Sequence, residues 1–324
     1  MLSIPFCNAN AFKIDNDVLS QKIFARYEEI TGVKIKNGHF PGPQPVTVEK
    51  KDFETLKTKK YMVCEKSDGE RYVMILLKID SKPMGFIINR NNEIYFVPAA
   101  FKKEVFEGSI FDGEIIKTKK GIWHYLIHDC VSYIGKSFVK ETHYLRYACI
   151  LDFILKRYSP KDSDCFLIKT KLFYNYGPEV DKTWEYIKET TENEIDGLIF
   201  TPVDEPYTFD RQFSLLKWKT DHTMDLLVKK IGKKINLYGV RKNTNYIFKT
   251  ISEDHWSYLL ITDFCTPAQL KSGVIIEFNY VLNGEIFKPY RMRSDKTIPN
   301  GELTINNTVK NIQESILITD FFSI

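Results

Sequence analysis

Three Asp-Gly pairs in the sequence have charged residues beside them, and together they could assemble a site for a phosphate-rich ligand. They occupy positions 68–69, 112–113 and 196–197. Each pair alone is typical of a tight hairpin turn. The first pair lies between Lys66 and Arg71, and Glu114 directly follows the second. An amine, a guanidinium and carboxylates close together are groups that bind phosphates and attack them.

Two further segments supply pairs of cations. Lys217 and Lys219 flank a tryptophan, and Arg291 and Arg293 flank a methionine. Because side chains alternate along a strand, each pair is predicted to lie on one face. Lysine acts as a point charge and arginine as a bidentate donor, so two same-face cations near acidic turns favour a polyphosphate site.

In order along the chain, six segments resemble the motif set of the covalent nucleotidyltransferases, which include mRNA capping enzymes and ATP- or NAD-dependent ligases. The segments are residues 66–71, 111–114, 125–130, 195–200, 216–219 and 291–296. Within this superfamily the chain is similar to mRNA guanylyltransferases. Asp196 stands where ligases more often have glutamate, and residues 40–46 are similar to the segment that precedes the attachment lysine. The likeness covers residues 35–320 and is to stand-alone capping enzymes of the yeast and large-DNA-virus type.

The resemblance implies a two-step reaction in which Lys66 carries GMP. The amine would attack the α-phosphate of GTP, release pyrophosphate and hold GMP as a phosphoramidate. GMP would then pass to the 5′-diphosphate end of an RNA and form the GpppN cap. Glu114 and Asp196 are implied to serve the ribose and a divalent metal, Mg²⁺ or Mn²⁺, for which carboxylate oxygens are suitable ligands.

The same resemblance implies a set of GTP-binding side chains. They are Arg71, Arg90, Glu114, His128, Lys171, Lys217, Lys219, Arg291, Arg293, Asp295 and Lys296. Lys171 is implied to read the edge of guanine. His128 occupies the position where the family usually has an aromatic residue that stacks on the base, and an ordinary strand residue is an open alternative there.

Two other functions are compatible with these motifs. An ATP-dependent polynucleotide ligase would use the same lysyl-nucleotide chemistry, and a non-catalytic RNA-binding module would use only the fold. A Cys-x5-Arg phosphatase loop and a glycine-rich methyl-donor motif are both missing from the sequence. We therefore expect separate RNA triphosphatase and cap methyltransferase chains as partners, and a monomeric enzyme.

Hydrophobic periodicity predicts an α+β fold in two domains. Helical spacing marks residues 17–32, 144–158 and 183–190, and short alternating runs predict strands between residues 61 and 133 and again after 195. We expect an ATP-grasp-like ligase/capping nucleotidyltransferase domain of antiparallel sheets with helices over 1–228. An OB-fold β-barrel with a closing helix near 303–319 is expected over 229–324.

The composition is that of a globular, intracellular protein. The 324 residues are 43% hydrophobic and 27% charged, with a net charge of +4, which is a weak sign of a polyanionic partner. The six cysteines form no CxxC pair, and no apolar run approaches the length of a membrane span. We expect no membrane association, and either a nucleus or a cytoplasmic virus factory as the location.

Overall fold

A computed structural model of the protein describes residues 2–35 and 40–323. The strands are β1 (Leu2–Phe6), β2 (Ala9–Lys13), β3 (Gln44–Thr47), β4 (Tyr61–Ser67), β5 (Glu70–Ile79), β6 (Lys82–Ile88), β7 (Ile94–Phe96), β8 (Glu107–Lys117), β9 (Trp123–Tyr133), β10 (Lys136–Ser137), β11 (Leu167–Thr170), β12 (Tyr174–Asn175), β13 (Ile195–Pro202), β14 (Arg211–Lys219), β15 (Thr223–Ile231), β16 (Lys234–Arg241), β17 (Thr244–Ile251), β18 (Val274–Val281) and β19 (Ile286–Met292). The helices are α1 (Asp17–Thr31), α2 (Phe53–Thr58), α3 (His143–Lys156), α4 (Val180–Thr190), α5 (Trp256–Phe264), α6 (Pro267–Ser272) and α7 (Glu302–Glu314). Short 3₁₀ turns span Lys50–Asp52, Lys103–Phe106 and Ile318–Ser323.

The chain forms two compact units. The first runs to Trp218 and includes the C-terminal segment from Ile318 onward, and the second comprises Lys219–Leu317. The division therefore falls ten residues before the expected end of the first domain at 228, and the chain returns to the first unit at its end. The functions expected of 1–228 and 229–324 stay predictions.

The large sheet of the first unit is covered on both faces, and its central strand β5 shows why. Tyr72, Met74 and Leu76 belong to one hydrophobic cluster, whereas Val73 and Ile75 belong to another. Successive side chains of a strand point to opposite faces, so a nearly continuous apolar run requires a core on each side. In the described residues the strand order is β1-β2-β7-β6-β5-β8-β9-β10, with β11 parallel to β9.

Two helices cover these faces. Helix α1 contributes Ile23 and Tyr27 to one cluster, and α3 contributes Ile150 and Phe153 to the other. The start of α1 is fixed by Asn16, whose side chain accepts a hydrogen bond from the Leu19 amide at 3.0 Å. Its end is fixed by a glycine in the left-handed conformation, which a helix C-terminus favours.

A second sheet of the first unit carries several of the predicted site residues. Its strand order is β12-β4-β13-β14-β3. The ring of Phe321, from the C-terminal segment, packs against Phe200 on β13 and Trp218 on β14, with centroid distances of 5.1 and 6.3 Å. These rings mark one face of the sheet as core and leave the other face for the polar residues of the same strands.

The second unit holds an antiparallel sheet in the order β17-β16-β15-β18-β19, with α5, α6 and α7 packed in its core. No residue pair joins the edge strands β17 and β19 in the part of the chain that the structure describes. The expected α+β fold is confirmed. The expected OB-fold barrel is not confirmed, and the described strands form no closed barrel. The helix expected over 303–319 ends at Glu314 because Ser315 adopts a left-handed conformation. No described helix is both long and apolar enough to span a bilayer.

Candidate active site

The amine of Lys66 is paired with the carboxylate of Asp196. Lys66 Nζ donates to Asp196 Oδ1 at 2.6 Å, and the two side chains are 21% and 36% exposed. Their strands β4 and β13 are antiparallel, with Ile195 opposite Ser67 and Gly197 opposite Lys66, so Asp196 is an extra residue in β13. Such a bulge redirects a side chain. Here it places a carboxylate on the lysine while the pairing continues on both sides.

The turn between β4 and β5 lies against the end of β8. Gly69 lies so close to β8 that a Cβ atom there would stand 2.6 Å from the Ile115 carbonyl oxygen and 2.8 Å from Glu114 Cγ. Only glycine allows this approach. The first Asp-Gly pair is therefore more than a turn signal, because its glycine lets the turn after Lys66 lie beside Glu114.

Lys171 is buried beside the same carboxylate. Its Nζ donates to Glu114 Oε2 and to the backbone carbonyl of Glu65, both at 3.1 Å. Burial would lower the pKa of the Lys171 ammonium, but Glu114 and Glu65 outweigh it and raise that pKa above its ordinary value. Burial raises the pKa of the Glu65 carboxyl. Lys171 is thus held charged and directed at the site from the loop after β11.

Arg71 is buried and bound to Asp112, the aspartate of the second Asp-Gly pair. Nε donates to Asp112 Oδ1 at 2.9 Å, Nη2 donates to Oδ2, and Nη1 donates to the Pro43 carbonyl oxygen. Tyr207 Oη donates to Asp112 Oδ2 at 2.7 Å, and His128 Nε2 lies 3.3 Å from Oδ1. Asp112, which is fully buried, is therefore the centre of this network.

The charges of this network hold each other in the ionised form. Burial would raise the pKa of Asp112, but Arg71 and His128 outweigh it and hold that pKa well below its usual range. Burial would lower the pKa of Arg71, and the same carboxylate raises it instead. A buried pair of this kind strongly constrains the strands and the 40–43 segment that it joins.

The other expected cations, on β14 and in the turn after β6, lie at more exposed positions. Lys217 is half-buried on β14, next to Trp218, whose ring packs into the core. Alternation therefore places Lys217 on the face opposite Phe321. Gly197 is an odd number of residues from Phe200 on β13, so it faces away from Phe321. Lys66 pairs with Gly197, and its side chain therefore lies on the same face as that of Lys217. Lys219 is half-buried at the end of β14, and Arg90 is exposed in the turn after β6.

In the second unit, the expected phosphate-binding cations are already paired with acidic residues. Arg293 Nη1 donates to both oxygens of Asp225 at 2.9 and 3.0 Å, and Lys296 Nζ donates to the same carboxylate. Arg291 pairs with Glu277, and Asp295 pairs with Arg293. Burial would raise the pKa of Glu277, but Thr223, Arg291 and Arg293 lower it below its ordinary value.

Sequence reasoning missed three acidic or phenolic residues of these networks. Asp112 was assigned to a turn motif without a role, and neither Glu277 nor Tyr207 was singled out. Apolar neighbours on β8 indicate burial of Asp112, and a buried carboxylate needs a cation. Glu277 interrupts the apolar strand β18 in the same way, with burial on both sides. Tyr207 lies in a loop and carries no such signal.

The acidic residues suit a metal ion that is held mainly by a substrate. Among the described residues, no group of three or more His, Cys, Asp or Glu side chains could hold a metal ion by itself. Mg²⁺ needs only one or two protein carboxylates when phosphate oxygens and water complete its shell. Glu114 and Asp196 are two such carboxylates, each already beside a lysine amine. Glu114 and Asp196 are therefore suitable ligands for a divalent cation whose other ligands are phosphate oxygens and water.

Comparison with known proteins identifies the family of this chain. The family description "mRNA capping enzyme, catalytic domain" matches residues 14–221. The mRNA-capping enzyme subunit alpha of Kluyveromyces lactis is 34% identical over 216 residues, which cover 57% of this chain and 46% of that protein. The subunit of the same name from Schizosaccharomyces pombe is 26% identical over 319 residues, with 86% and 77% covered.

The chain spans about half the length of several of these relatives, including those of Kluyveromyces lactis and Eremothecium gossypii. A solved structure described as mycobacterial DNA ligase D complexed with ATP and MES is 10% identical, with a TM-score of 0.46 and coverage of 81% of this chain and 97% of that one. The chain is a member of the nucleotidyltransferase superfamily. Within it, the chain belongs to the mRNA capping enzyme family, and the match covers the catalytic domain.

Proposed function

We propose that the protein is an mRNA guanylyltransferase that forms a covalent lysyl-GMP intermediate on Lys66. The observation that carries the proposal is the 2.6 Å contact between Lys66 Nζ and Asp196 Oδ1, at a bulge within the region that the family matches. A partly exposed lysine held by a carboxylate at the end of a strand is positioned for a ligand to reach its amine. An exposed turn lysine without function would not require the bulge.

In the first step, the Lys66 amine attacks the α-phosphate of GTP. A bond forms between Nζ and the phosphorus, the bond to the β-phosphate bridging oxygen breaks, and pyrophosphate leaves. The Lys66 ammonium loses two of its three protons in the process, and the phosphoramidate nitrogen keeps one. Because Asp196 accepts a hydrogen bond from Nζ, it holds the amine in place before attack and is the nearest carboxylate that can receive a proton.

Cations on β5, on β14 and after β6 stabilise the negative charge that develops on the phosphate. Lys217 lies on the same face of the sheet as Lys66, and we propose that it contacts the α-phosphate together with Lys219. Arg71 uses three of its five N–H groups for Asp112 and Pro43, which leaves two for the nucleotide. We propose that Arg90 contacts the same nucleotide from the turn after β6.

Glu114 and Asp196 would hold a divalent cation together with the phosphates. When bound, Mg²⁺ or Mn²⁺ supplies charge neutralisation for the phosphate oxygens. Glu114 is fixed for this role by Lys171, and its strand β8 is fixed against β5 by the Arg71–Asp112 pair. We also propose that Arg291, Arg293, Asp295 and Lys296 orient the β- and γ-phosphates. Arg293 and Lys296 would then exchange part of their pairing with Asp225 for phosphate oxygens.

Guanine would be selected by the buried ammonium of Lys171. An ammonium donates hydrogen bonds only, and the edge of guanine presents the O6 acceptor where adenine presents an amino donor. A fixed, desolvated donor discriminates strongly between the two bases. His128 is held by Asp112 through Nε2, so its ring has a defined orientation. We propose that the ring contacts the base.

In the second step, a terminal phosphate oxygen of a 5′-diphosphate RNA attacks the GMP phosphorus. The nitrogen–phosphorus bond breaks, Lys66 regains its protons, and GpppRNA leaves. We further propose that the second unit is a partly open OB-type barrel, supported by its five antiparallel strands. We also propose that separate chains supply the RNA triphosphatase and cap methyltransferase activities. The enzyme itself is proposed to be a monomer, located in a nucleus or a cytoplasmic virus factory.

Transfer of GMP to RNA tests the full reaction. Enzyme labelled on Lys66 with GMP is isolated and mixed with RNA that ends in a diphosphate, a triphosphate or a monophosphate. We expect the label to move only to the diphosphate RNA, as a nuclease-resistant GpppN cap. Transfer to a monophosphate end, with sealing to a second strand, would contradict the proposal and favour a ligase.

A further inference from the structure

The second unit has a cavity that the proposed catalytic residues do not use. It has a volume of about 300 Å³ and lies between β15 and the two helices α5 and α6. Its lining residues are Lys230, Thr262, Cys265, Pro267, Leu270 and Lys271. Ligand pockets start at about this size, and they combine apolar walls with a few polar groups. This cavity has that composition, and two of its lining residues are lysines.

Four lysines lie near the tip of the hairpin that contributes Lys230 to this cavity. Lys229 and Lys230 end β15, Lys233 stands in the turn, and Lys234 begins β16. Ile231 pairs with Lys234, so all four lie within a few residues of the same tip. Strand alternation sends Lys230 toward the cavity and Lys229 to the other face. We call the set of Lys229, Lys230, Lys233, Lys234 and Lys271 the lysine cluster.

Gly273, directly after α6, lies beside Lys229. It has φ +97°, and a Cβ there would stand 2.6 Å from Lys229 Cε. Helix α6 carries Lys271, and Lys229 ends the strand that leads into the hairpin. The hairpin and the helix therefore meet at one end of the sheet.

The lysine cluster has little negative charge to compensate it. In the described ranges, Lys229, Lys233, Lys234 and Lys271 form no ion pair with a carboxylate. Lys230 lies over the ring of Tyr258, 5.1 Å from its centroid, and Tyr258 in turn donates to Glu253. The cations proposed to orient the GTP phosphates differ from the lysine cluster in their pairing. Arg291, Arg293 and Lys296 are each paired with an acidic residue. Uncompensated like charges side by side indicate an anionic ligand.

We propose that the cavity and the lysine cluster bind single-stranded RNA, the class of acceptor in the proposed reaction. Lys230 and Lys271 would contact successive phosphates, and one nucleoside would enter the cavity against Pro267 and Leu270, with the Thr262 hydroxyl as its polar contact. Binding sites for single-stranded nucleic acid combine a positively charged groove that follows the phosphates with apolar or aromatic side chains that contact the bases. A lipid surface would use the charge but leave a cavity of this size without a role.

This inference rests on the proposed function, and RNA binding can be measured apart from it. The charge-reversed variant Lys230→Glu/Lys271→Glu is compared with the wild type and with Lys242→Glu/Lys288→Glu. The control lysines are exposed and lie at the opposite end of the sheet, since Lys242 follows β16 and Lys288 pairs with Asn279, itself a partner of Thr223. Affinity is measured by fluorescence anisotropy for a 3′-labelled, 5′-hydroxyl RNA longer than ~16 nucleotides, at several salt concentrations.

The expected result is a loss confined to the cluster variant. Its RNA affinity falls about tenfold, and the slope of log affinity against log salt decreases by about 1.4, or 0.7 for each of two phosphate contacts. The rate of enzyme–GMP formation stays at the wild-type value, because the variant leaves the GTP site intact. GMP transfer then shows a raised KM for RNA and an unchanged kcat.

Three results would overturn the inference. One is wild-type affinity and salt slope in the cluster variant, and another is an equal loss in the control variant. The third is binding to vesicles of anionic phospholipid that depends on the cluster while RNA binding does not. Ultraviolet crosslinking of 4-thiouridine RNA tests the cavity itself, with adducts expected between Thr262 and Lys271. If the wild type binds RNA through the cluster but forms no GMP adduct, the proposed function fails and the inference stands.

Discussion

Arg71 and Asp112 form a buried, two-point ion pair between the neighbouring strands β5 and β8. Arg71 is opposite Glu114, and Asp112 lies two residues before Glu114, so all three side chains share one face of the sheet. The pair also reaches outside the sheet, because Arg71 Nη1 binds the Pro43 carbonyl oxygen. The Arg71 side chain therefore joins β5 and β8, beside the proposed catalytic lysine, to the 40–43 segment.

Substitution of Asp112 by asparagine should destabilise the protein strongly. The variant leaves the Arg71 guanidinium buried without its counter-charge, and loss of one partner of a buried pair costs about 3–5 kcal/mol. The free energy of unfolding is measured by urea denaturation monitored by circular dichroism. Asp80→Asn is the matched control. Asp80 pairs with Lys22 at an exposed position, so its loss should cost less than about 1 kcal/mol.

The pH dependence of stability should carry the signature of Asp112. Its pKa is lowered in the folded state, so its contribution is complete above the unfolded-state pKa of about 3.9 and is lost as the pH falls below that value. The free energy of unfolding of the wild type should fall more steeply with acid than that of Asp112→Asn. If the free energy of unfolding of the two proteins changes in parallel between pH 5 and 2, the pair with Arg71 does not lower the pKa of Asp112, and the prediction is wrong.

Asp196→Asn should slow formation of the enzyme–GMP adduct while leaving the fold intact. The variant keeps the bulge and the side-chain volume but removes the charge that holds Lys66 Nζ. Removal of one charge-stabilising group from an active site costs on the order of 10²-fold in rate. The adduct is measured in single-turnover labelling with GTP, beside Asp204→Asn, an exposed position of the same unit. Equal rates for both variants would remove Asp196 from the mechanism.

Lys171→Gln should reduce the preference for GTP over ATP. We expect kcat/KM for adduct formation to fall at least ~10-fold further with GTP than with ATP, since the buried donor favours only guanine. The value with ATP falls as well, because Glu114 loses the lysine that fixes it. Lys169→Gln is the control because Lys169 precedes Lys171 by two residues and pairs with Glu192 at the surface. If the variant loses activity equally with both nucleotides, Lys171 positions Glu114 without reading the base.

Sequence patterns predicted the elements with strong periodicity well. Helix α3 was expected over 144–158 and spans His143–Lys156, and β9 has the expected limits Trp123–Tyr133. Strands β1 and β2 were missed because they are short strands with mixed exposure, for which alternation is weak. Helices α5 and α6 were missed as well. The apolar run in α5 does not distinguish a buried helix from a strand.

For the site, the motifs located the residues but not their partners. The positions of Lys66 and Asp196 were recognised from sequence, yet their contact depends on a bulge that shifts the register by one residue. The burial of Arg71 depends on contacts with Asp112 and Pro43, which are 41 and 28 residues away in the chain. Such long-range pairings follow from tertiary packing, which local patterns do not encode.

Covalent labelling of Lys66 tests the central claim most directly. The protein is incubated with Mg²⁺ or Mn²⁺ and GTP or ATP labelled at the α-phosphate, separated on a denaturing gel, and analysed by mass spectrometry for the modified peptide. We predict a GMP adduct on Lys66 that forms with GTP, is reversed by pyrophosphate and is absent from Lys66→Ala. An adduct formed with ATP and not with GTP, or a GMP adduct that persists in Lys66→Ala, would contradict the account.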